Sequence, residues 1–380
     1  MSVTDDVVTE AAPRESGVAL ATEHPAYVAF AEVVAEIIAP RAVEVDVTEV
    51  PRSHVEALRE VGYFSWPVPA EHGGTPVPAE VKNAADNLLF GADPSTALAL
   101  TQHAGPIGQI LRSRTPAGLA LLPALAAGER IGGAGFAQIR HWPHGRSTIA
   151  TKVEGGYRVD GVVRWLSGWG LVDTAWLGAV DEQHGTYVFG VADLTAPGIT
   201  ATALALAAVA GSRTVTLTLS RYFLPEEFVT EVVDIEEWKA LDGTIHPNAR
   251  GTATAAPQVP SIGAIGLARA ALTDALAAFP GHEPLLRLRT ELETAAGTPR
   301  PEPFWRTQLD DIAVRATSAA LVAGGGAGLL TDHIAQVRAR AALFLQVRGL
   351  SPRVRDARFD QLAGQDTQRP HRDAETTQFV

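Results

Sequence analysis

Trp165-Leu166-Ser167 is the stretch whose residue types and order can do chemistry. An aromatic ring beside a hydroxyl, at the end of a strand facing a helical region, can stack on a planar cofactor while the hydroxyl donates a hydrogen bond. The plainer reading is a rim tryptophan with a serine that satisfies its own turn. His103 lies on a helical pattern and reads as a packed or capping histidine. With no cysteine in the chain, disulfides, thiolate catalysis and cysteine-ligated metals are excluded.

The tripeptide sits inside a β-rich stretch, residues 131–219, flanked on both sides by helical patterns. Apolar and polar residues alternate from Thr148 to Val153, and Gly155-Gly156 offers the positive φ of a tight hairpin. Asp160-Gly161 marks a second turn before Val162–Leu166, and further strands are expected at 174–180, 187–191 and 214–219. No helix-length segment separates these strands, so a small antiparallel barrel or sandwich is expected rather than a βαβ sheet. Ahead of it, helices are predicted over 25–39, from the Ser53-His54-Val55-Glu56 capping box to Gly62, over 79–90, and from the Asp93-Pro94 start through Leu111. Behind it, helices are predicted over 261–279, 304–323 and 329–348, with Gly324-Gly325-Gly326 as a break.

The organisation that follows is a flexible arm (1–22), an N-terminal helical domain (23–130), a central β-barrel domain (131–232), a linker or active-site loop (233–260), a C-terminal helical domain (261–363) and a polar tail (364–380). A chain of 380 residues with 46% hydrophobic content has enough material for several cores. Its formal net charge of −12 argues against nucleic acid or an anionic membrane as partner. The acidic first residues lack an apolar segment of the secretory kind, no membrane span is expected, and a cytoplasmic protein follows as the expectation.

Several motifs, in this order, resemble the acyl-CoA dehydrogenase superfamily. They are Leu58-Arg59-Glu60-Val61-Gly62-Tyr63-Phe64 with Pro69-Ala70-Glu71-His72-Gly73-Gly74; Leu122-Pro123-Ala124-Leu125 with Gly128-Glu129; Tyr157-Arg158-Val159-Asp160-Gly161 with Trp165-Leu166-Ser167; Ala264-Ile265-Gly266-Leu267-Ala268; and Gly325-Gly326-Ala327-Gly328. The resemblance implies the family's α+β multidomain fold, with N-terminal helices, a central antiparallel β-barrel and a C-terminal helical bundle. It implies FAD, held by two stretches that fall here on Phe136, Ala137 and Gln138 and on Trp165, Leu166 and Ser167. His103 or Gln138 is then a candidate polar group near the flavin, each with an alternative reading as packing. An acyl-thioester or other small-molecule substrate is implied, in a homodimer or tetramer or in a hetero-oligomer with a paralogue; the apolar stripe Leu321, Leu329, Leu330, Ile334, Leu343, Phe344 suits such an interface.

The chain also departs from the family. The family's "LTEP" falls on Ala137-Gln138-Ile139-Arg140, its "GSD" on His144-Gly145, and its "ERxxFG" is missing where Ala278-Phe279-Pro280-Gly281 ends a helix. Its catalytic glutamate falls on Arg348 or Gly349, and the alternative position near Ala256. None of these can take a proton from carbon at neutral pH. The expectation is a flavoprotein oxidoreductase that is not an ordinary α,β-dehydrogenase, with oxygenase-type chemistry open to it, or alternatively a silent subunit of the same fold that partners an active paralogue.

Overall fold

The computed structural model describes residues 21–145, 147–240, 262–300 and 303–364. The loop expected over 242–260, the Ala256 position within it, and most of the arm and tail lie outside the described residues.

Helix α1 (Pro25–Val33) runs on through a π turn, Val34–Ile38, and Pro40 is taken up in a 3-10 turn, where its missing N–H costs little. Helix α2 (Ala42–Val47) precedes α3 (Arg52–Glu60), which starts one residue before the expected capping box and has no side-chain cap. Ser53 instead accepts a hydrogen bond from Arg41 Nη1 at 3.4 Å. Helix α4 (Ala79–Ala92) ends at Asp93, which caps α5 (Pro94–Leu100) by accepting from the N–H groups of Ser95 and Thr96. The single helix expected to Leu111 is broken by a 3-10 turn at Thr101–His103 and resumes as α6 (Ala104–Ser113). Thr115 then caps α7 (Pro116–Ala126).

Eight strands form one sheet: β1 (Gly132–Gly135), β2 (Thr148–Val153), β3 (Gly156–Leu166), β4 (Thr174–Asp181), β5 (Thr186–Asp193), β6 (Ile199–Ala203), β7 (Val215–Pro225) and β8 (Val229–Asp234). The order is β6-β7-β3-β2-β4-β5-β8, with β1 paired to β4 off this path. The expected closed antiparallel barrel is therefore corrected on two counts. β6 and β8 end the path unpaired with each other, and β1 and β2 both meet β4 in parallel. β4 is buried along its whole length and carries side chains into cores on both faces, as a central strand does. Asp160-Gly161 is a bulge within one continuous strand, not a turn, and Gly161 has φ 122, which glycine adopts without penalty.

After α8 (Ile235–Ala240) come α9 (Ile262–Ala278), α10 (Glu283–Gly297), α11 (Phe304–Gly324), α12 (Ile334–Val347) and α13 (Pro352–Leu362). The α9, α11 and α12 core holds Leu267, Leu272, Leu309, Ile312, Ala342 and Leu345. By length and composition one described stretch, Phe304–Leu329, passes for a membrane span, but Trp305, Leu309, Ile312 and Ala316 of it pack in this core. Gly266 lets α9 lie directly on α4: a Cβ there would stand 1.9 Å from the carbonyl oxygen of Asn87, whose Oδ1 accepts from Gly266 N–H. Arg338 on α12 ties down the same helix by donating to Gly91 O at 2.8 Å. N-terminal and C-terminal helices are thus locked together where α4 ends.

Candidate functional site

The two stretches expected to hold a planar cofactor are brought together. Gly135, which ends β1, has no side chain, and a Cβ there would lie 3.4 Å from Leu166 Cδ1 and 2.8 Å from Val163 Cγ1. Phe136 therefore enters its turn directly beside the end of β3. Leu166 is fully buried, and Phe136 and Ala137 are half-buried. Trp165 is 55% exposed, whereas Trp176 and Phe189 of the same sheet are stacked in a core. Its φ of 67 lies in the left-handed region, which a bulky residue enters only under constraint. The constraint is visible in the β3–β7 ladder, whose register shifts between Val163 and Leu166. An exposed indole held in a strained backbone is an outlier of the kind that clusters at ligand sites.

Ser167 is buried, and its hydroxyl lies 2.7 Å from Thr214 Oγ1, which is itself 2.9 Å from Ser212 Oγ. When Ser212 donates to Thr214 and Thr214 to Ser167, the Ser167 hydroxyl retains its own proton to donate. Gln138 turns inward: its Nε2 donates to Gly178 O, Thr148 Oγ1 and Gly135 O, while its buried Oε1 has no partner.

His103 is a structural pin. Its Nδ1 accepts from Gly132 N–H at 2.9 Å, so Nε2 carries the proton and donates to Phe64 O at 3.2 Å. Its ring packs edge-on against Phe64, and burial pushes its pKa down to about 4, so it is neutral with both nitrogens engaged. Sequence reasoning did not find a second buried knot, between His54 and Asp93. Thr96 Oγ1 donates to Asp93 Oδ2 at 2.5 Å and lies 2.9 Å from His54 Nδ1. Burial lowers His54 to about 4 and raises Asp93 to about 6.

The other chemistry-bearing place is a junction of three segments: the end of α4, the turn after β1, and the Arg348-Gly349 step after α12. Arg348 Cζ lies 5.9 Å from the Phe90 ring, and Arg140 Cζ lies 5.4 Å from the Phe136 ring. A Cβ on Gly349 would be 3.8 Å from Arg306 Nη1 and 3.9 Å from Arg140 Nη1. Arg306 donates to the carbonyls of both Gly349 and Arg348, which fixes this backbone step. Arg348 is exposed to solvent, with its guanidinium beside the Phe90 ring. Burial and then the charge of Arg306 lower its pKa, with Asp310 opposing. Burial and then Arg306 likewise lower Arg140. The carboxylate that faces this group, Asp310, is fully buried and held 2.6 Å from Arg358 Nη2. Arg140 and Arg348 were legible in the sequence as occupants of family positions, but Arg306 was not.

Residues 26–129 match the family model of the acyl-CoA dehydrogenase N-terminal domain. Butyryl-CoA dehydrogenase from Megasphaera elsdenii is 20% identical, with 92% of this chain and 97% of that chain covered at a TM-score of 0.68. A glutaryl-CoA dehydrogenase from Mycobacterium smegmatis, solved in complex with FADH2, is 17% identical over 93% of this chain and 96% of that one, TM-score 0.73. Nitrososynthase from Micromonospora carbonacea var. africana is 19% identical over 92% and 98%, TM-score 0.71. No curated protein matches. The fold is that of the acyl-CoA dehydrogenases along nearly the whole chain, and residues 26–129 match that family's N-terminal domain.

Proposed function

We propose that this chain is a FAD-dependent oxidoreductase that does not run the ordinary α,β-dehydrogenation of an acyl thioester. The observation that carries the second half is the Arg348-Gly349 step. Removing a proton from the carbon next to a thioester needs a carboxylate within about 3 Å of it or one water away. Here the helix end presents guanidinium groups, and Asp310 is buried in its pair with Arg358. The first half is supported by the exposed, strained Trp165 beside the half-buried Phe136 and Ala137, which fit a planar ring system. It is also supported by the FADH2 complex of the Mycobacterium smegmatis neighbour.

Trp165, Phe136, Ala137, Leu166 and Ser167 would hold the flavin, with Gln138 bracing the turn from inside the sheet. A bound FAD would supply a two-electron acceptor and donor. The chain's own part is to present the Trp165 ring and donate the Ser167 hydroxyl. The substrate class is a small molecule or acyl thioester, and oxygenase-type chemistry, which needs no base for an α-proton, is compatible with the junction. The visible spectrum of the purified protein tests this reading. Flavin bands that persist through gel filtration and bleach with dithionite support it; a protein that stays colourless after incubation with excess FAD overturns it.

A second reading, a silent subunit that pairs with another chain of the same fold, is favoured by one observation. Leu329, Leu330, Leu343, Val347, Phe359 and Leu362 are all more than half exposed along the C-terminal helices, and they extend the stripe expected to bury a partner. Sedimentation of the purified chain as a dimer assigns this face to a second copy. A colourless monomer assigns it to a paralogue.

A further inference from the structure

Four guanidinium groups meet around α11 and the end of α12: Arg140, Arg306, Arg348 and Arg358. Two described carboxylates reach them: Asp310, taken up by Arg358 at 2.6 Å and approached by Arg306 Nε at 3.8 Å, and Asp311, whose charge reaches Arg358 but which pairs with Arg315 at 2.8 Å. Among the described residues Arg140 and Arg348 have no ion-pair partner, and the buried Arg140 Nε has no hydrogen-bond partner at all. The surplus is positive in a chain whose net charge is −12. Cations crowded into a half-buried place repel one another and lose hydration, so such a cluster is costly unless an anion completes it.

The geometry leaves a place for that anion. The Arg140 and Arg306 forks converge on the side of Gly349 where a side chain would stand, and ordinary contact distances of 3.8–3.9 Å separate them from that point. Arg306 is pinned to two backbone carbonyls and Arg140 is held over Phe136, so the two forks are pre-aimed. Planar forks of this kind match the oxygens of a carboxylate or a phosphate.

We propose that Arg140, Arg306 and Arg348 form an oxyanion receptor at the junction of the N-terminal helices, the sheet and the C-terminal helices, which takes a carboxylate or phosphate group of the ligand. Assigning this group to the substrate rests on the flavin-enzyme reading above; the receptor itself does not. The substrate would then be an acid, bound by its charge, and not a neutral alkyl chain bound by apolar burial.

The test uses the full-length, flavin-free protein in phosphate-free buffer at low ionic strength, with calorimetric titration of inorganic phosphate and, separately, succinate. Saturable binding of either is expected, weakened about tenfold or more in Arg140→Gln and Arg348→Gln, because each removes a charged donor pair. Arg348→Lys, which keeps the charge but loses the fork, should fall between, and Arg287→Gln in a distant exposed pair should bind as the unaltered chain does. Thermal melts accompany each variant, and only variants that melt cooperatively are compared. ADP displacing phosphate, together with weaker FAD binding in Arg140→Gln, would make the anion a nucleotide phosphate. Succinate binding with FAD affinity unchanged would make it a substrate carboxylate. FAD binding without any anion binding, or anion affinity equal in the unaltered chain and in Arg140→Gln/Arg348→Gln, would overturn the receptor and leave the flavin reading standing. Anion binding without FAD binding would sink the flavin reading and leave the receptor.

Discussion

Two polar clusters in this chain, one buried and one at a partly open junction, handle charge in opposite ways. Around Asp93, the carboxylate accepts from Ser95 N–H at 3.0 Å, Thr96 N–H at 3.1 Å and Thr96 Oγ1 at 2.5 Å, and His54 closes the group through Thr96. Around Gly349, four guanidiniums are reached by two described carboxylates, Asp310 and Asp311, the latter paired with Arg315, and a buried Arg140 Nε has no acceptor. The first cluster meets its carboxylate with donors from the chain itself, though the buried His54 Nε2 and Ser95 Oγ have no partner, and it serves folding. The second leaves guanidinium charge unmatched, and a buried polar group without a partner costs free energy that a ligand can recover. What separates the two cases is the balance of charge: one carboxylate met by three neutral donors, against guanidiniums that outnumber the carboxylates reaching them.

The largest effect is expected at the closed cluster. Asp93→Ala removes three accepted hydrogen bonds and leaves the start of α5 uncapped in a buried site. It should cost about 3 kcal/mol in chemical denaturation. A loss below about 0.5 kcal/mol would mean that the knot is ornamental.

Acid should act on the same region next. His54 and His103 have folded pKa values of about 4 against an ordinary value of 6.5, so between these limits the unfolded chain binds more protons and stability falls as pH falls. Asp93, raised to about 6 from 3.8, opposes this, because in its window the folded chain holds the extra proton. Two histidines outweigh one aspartate, so a net loss of about 2 kcal/mol is expected between pH 7 and pH 5. His103→Gln should remove most of that slope; stability that rises on acidification would contradict the neutral state assigned to both imidazoles.

The same contrast explains what was legible in the sequence. Local signals carried well: Asp93-Pro94 capped a helix as expected, the 148–153 alternation became β2, and the two extended runs at 157–159 and 162–166 became the single strand β3. Thr115-Pro116 and Ser351-Pro352 carry the same cap-then-proline signal and start α7 and α13, which pattern reading passed over. Sheet closure was not legible, because the parallel pairing of β1 and β2 with β4 joins segments far apart in sequence and leaves no local mark. The exposed tryptophan was legible as a residue but not as a strained one, since its φ follows from a register shift set by β7. The arginine junction was the least legible. Arg140, Arg306 and Arg348 lie on separate segments, and only packing brings their charges to one place.

Trp165 belongs to the open side of the comparison, and its effect should be small on folding and larger on ligand. Trp165→Gly relieves a left-handed backbone at little packing loss, because the ring is 55% exposed; stability should rise by about 1 kcal/mol or stay level. FAD affinity, read by fluorescence quenching, should fall several-fold as the stacking face, about 1 kcal/mol beyond its area, is lost. A clear drop in stability with unchanged FAD affinity would make Trp165 a packing residue and move it to the closed side.

The smallest expected effect is no effect. Gly349→Glu places a carboxylate at one of the positions, Arg348 or Gly349, where the resemblance puts the family's base, yet no acyl-CoA dehydrogenation should appear. Gly349 has φ 56, so any side chain there is strained by about 1 kcal/mol. The new carboxylate would also stand within reach of the Arg140 and Arg306 forks. Opposite charge at that range stabilises the ionised form and lowers the carboxylate's pKa, which weakens it as a base, while bidentate pairing turns its oxygens away from any substrate. What Gly349→Glu should do is block phosphate or succinate binding, by placing the chain's own anion in the receptor. Bleaching of the flavin by a saturated acyl-CoA in this variant would mean that the arginines leave the carboxylate free, and that the junction is an ordinary dehydrogenase site lacking only its base.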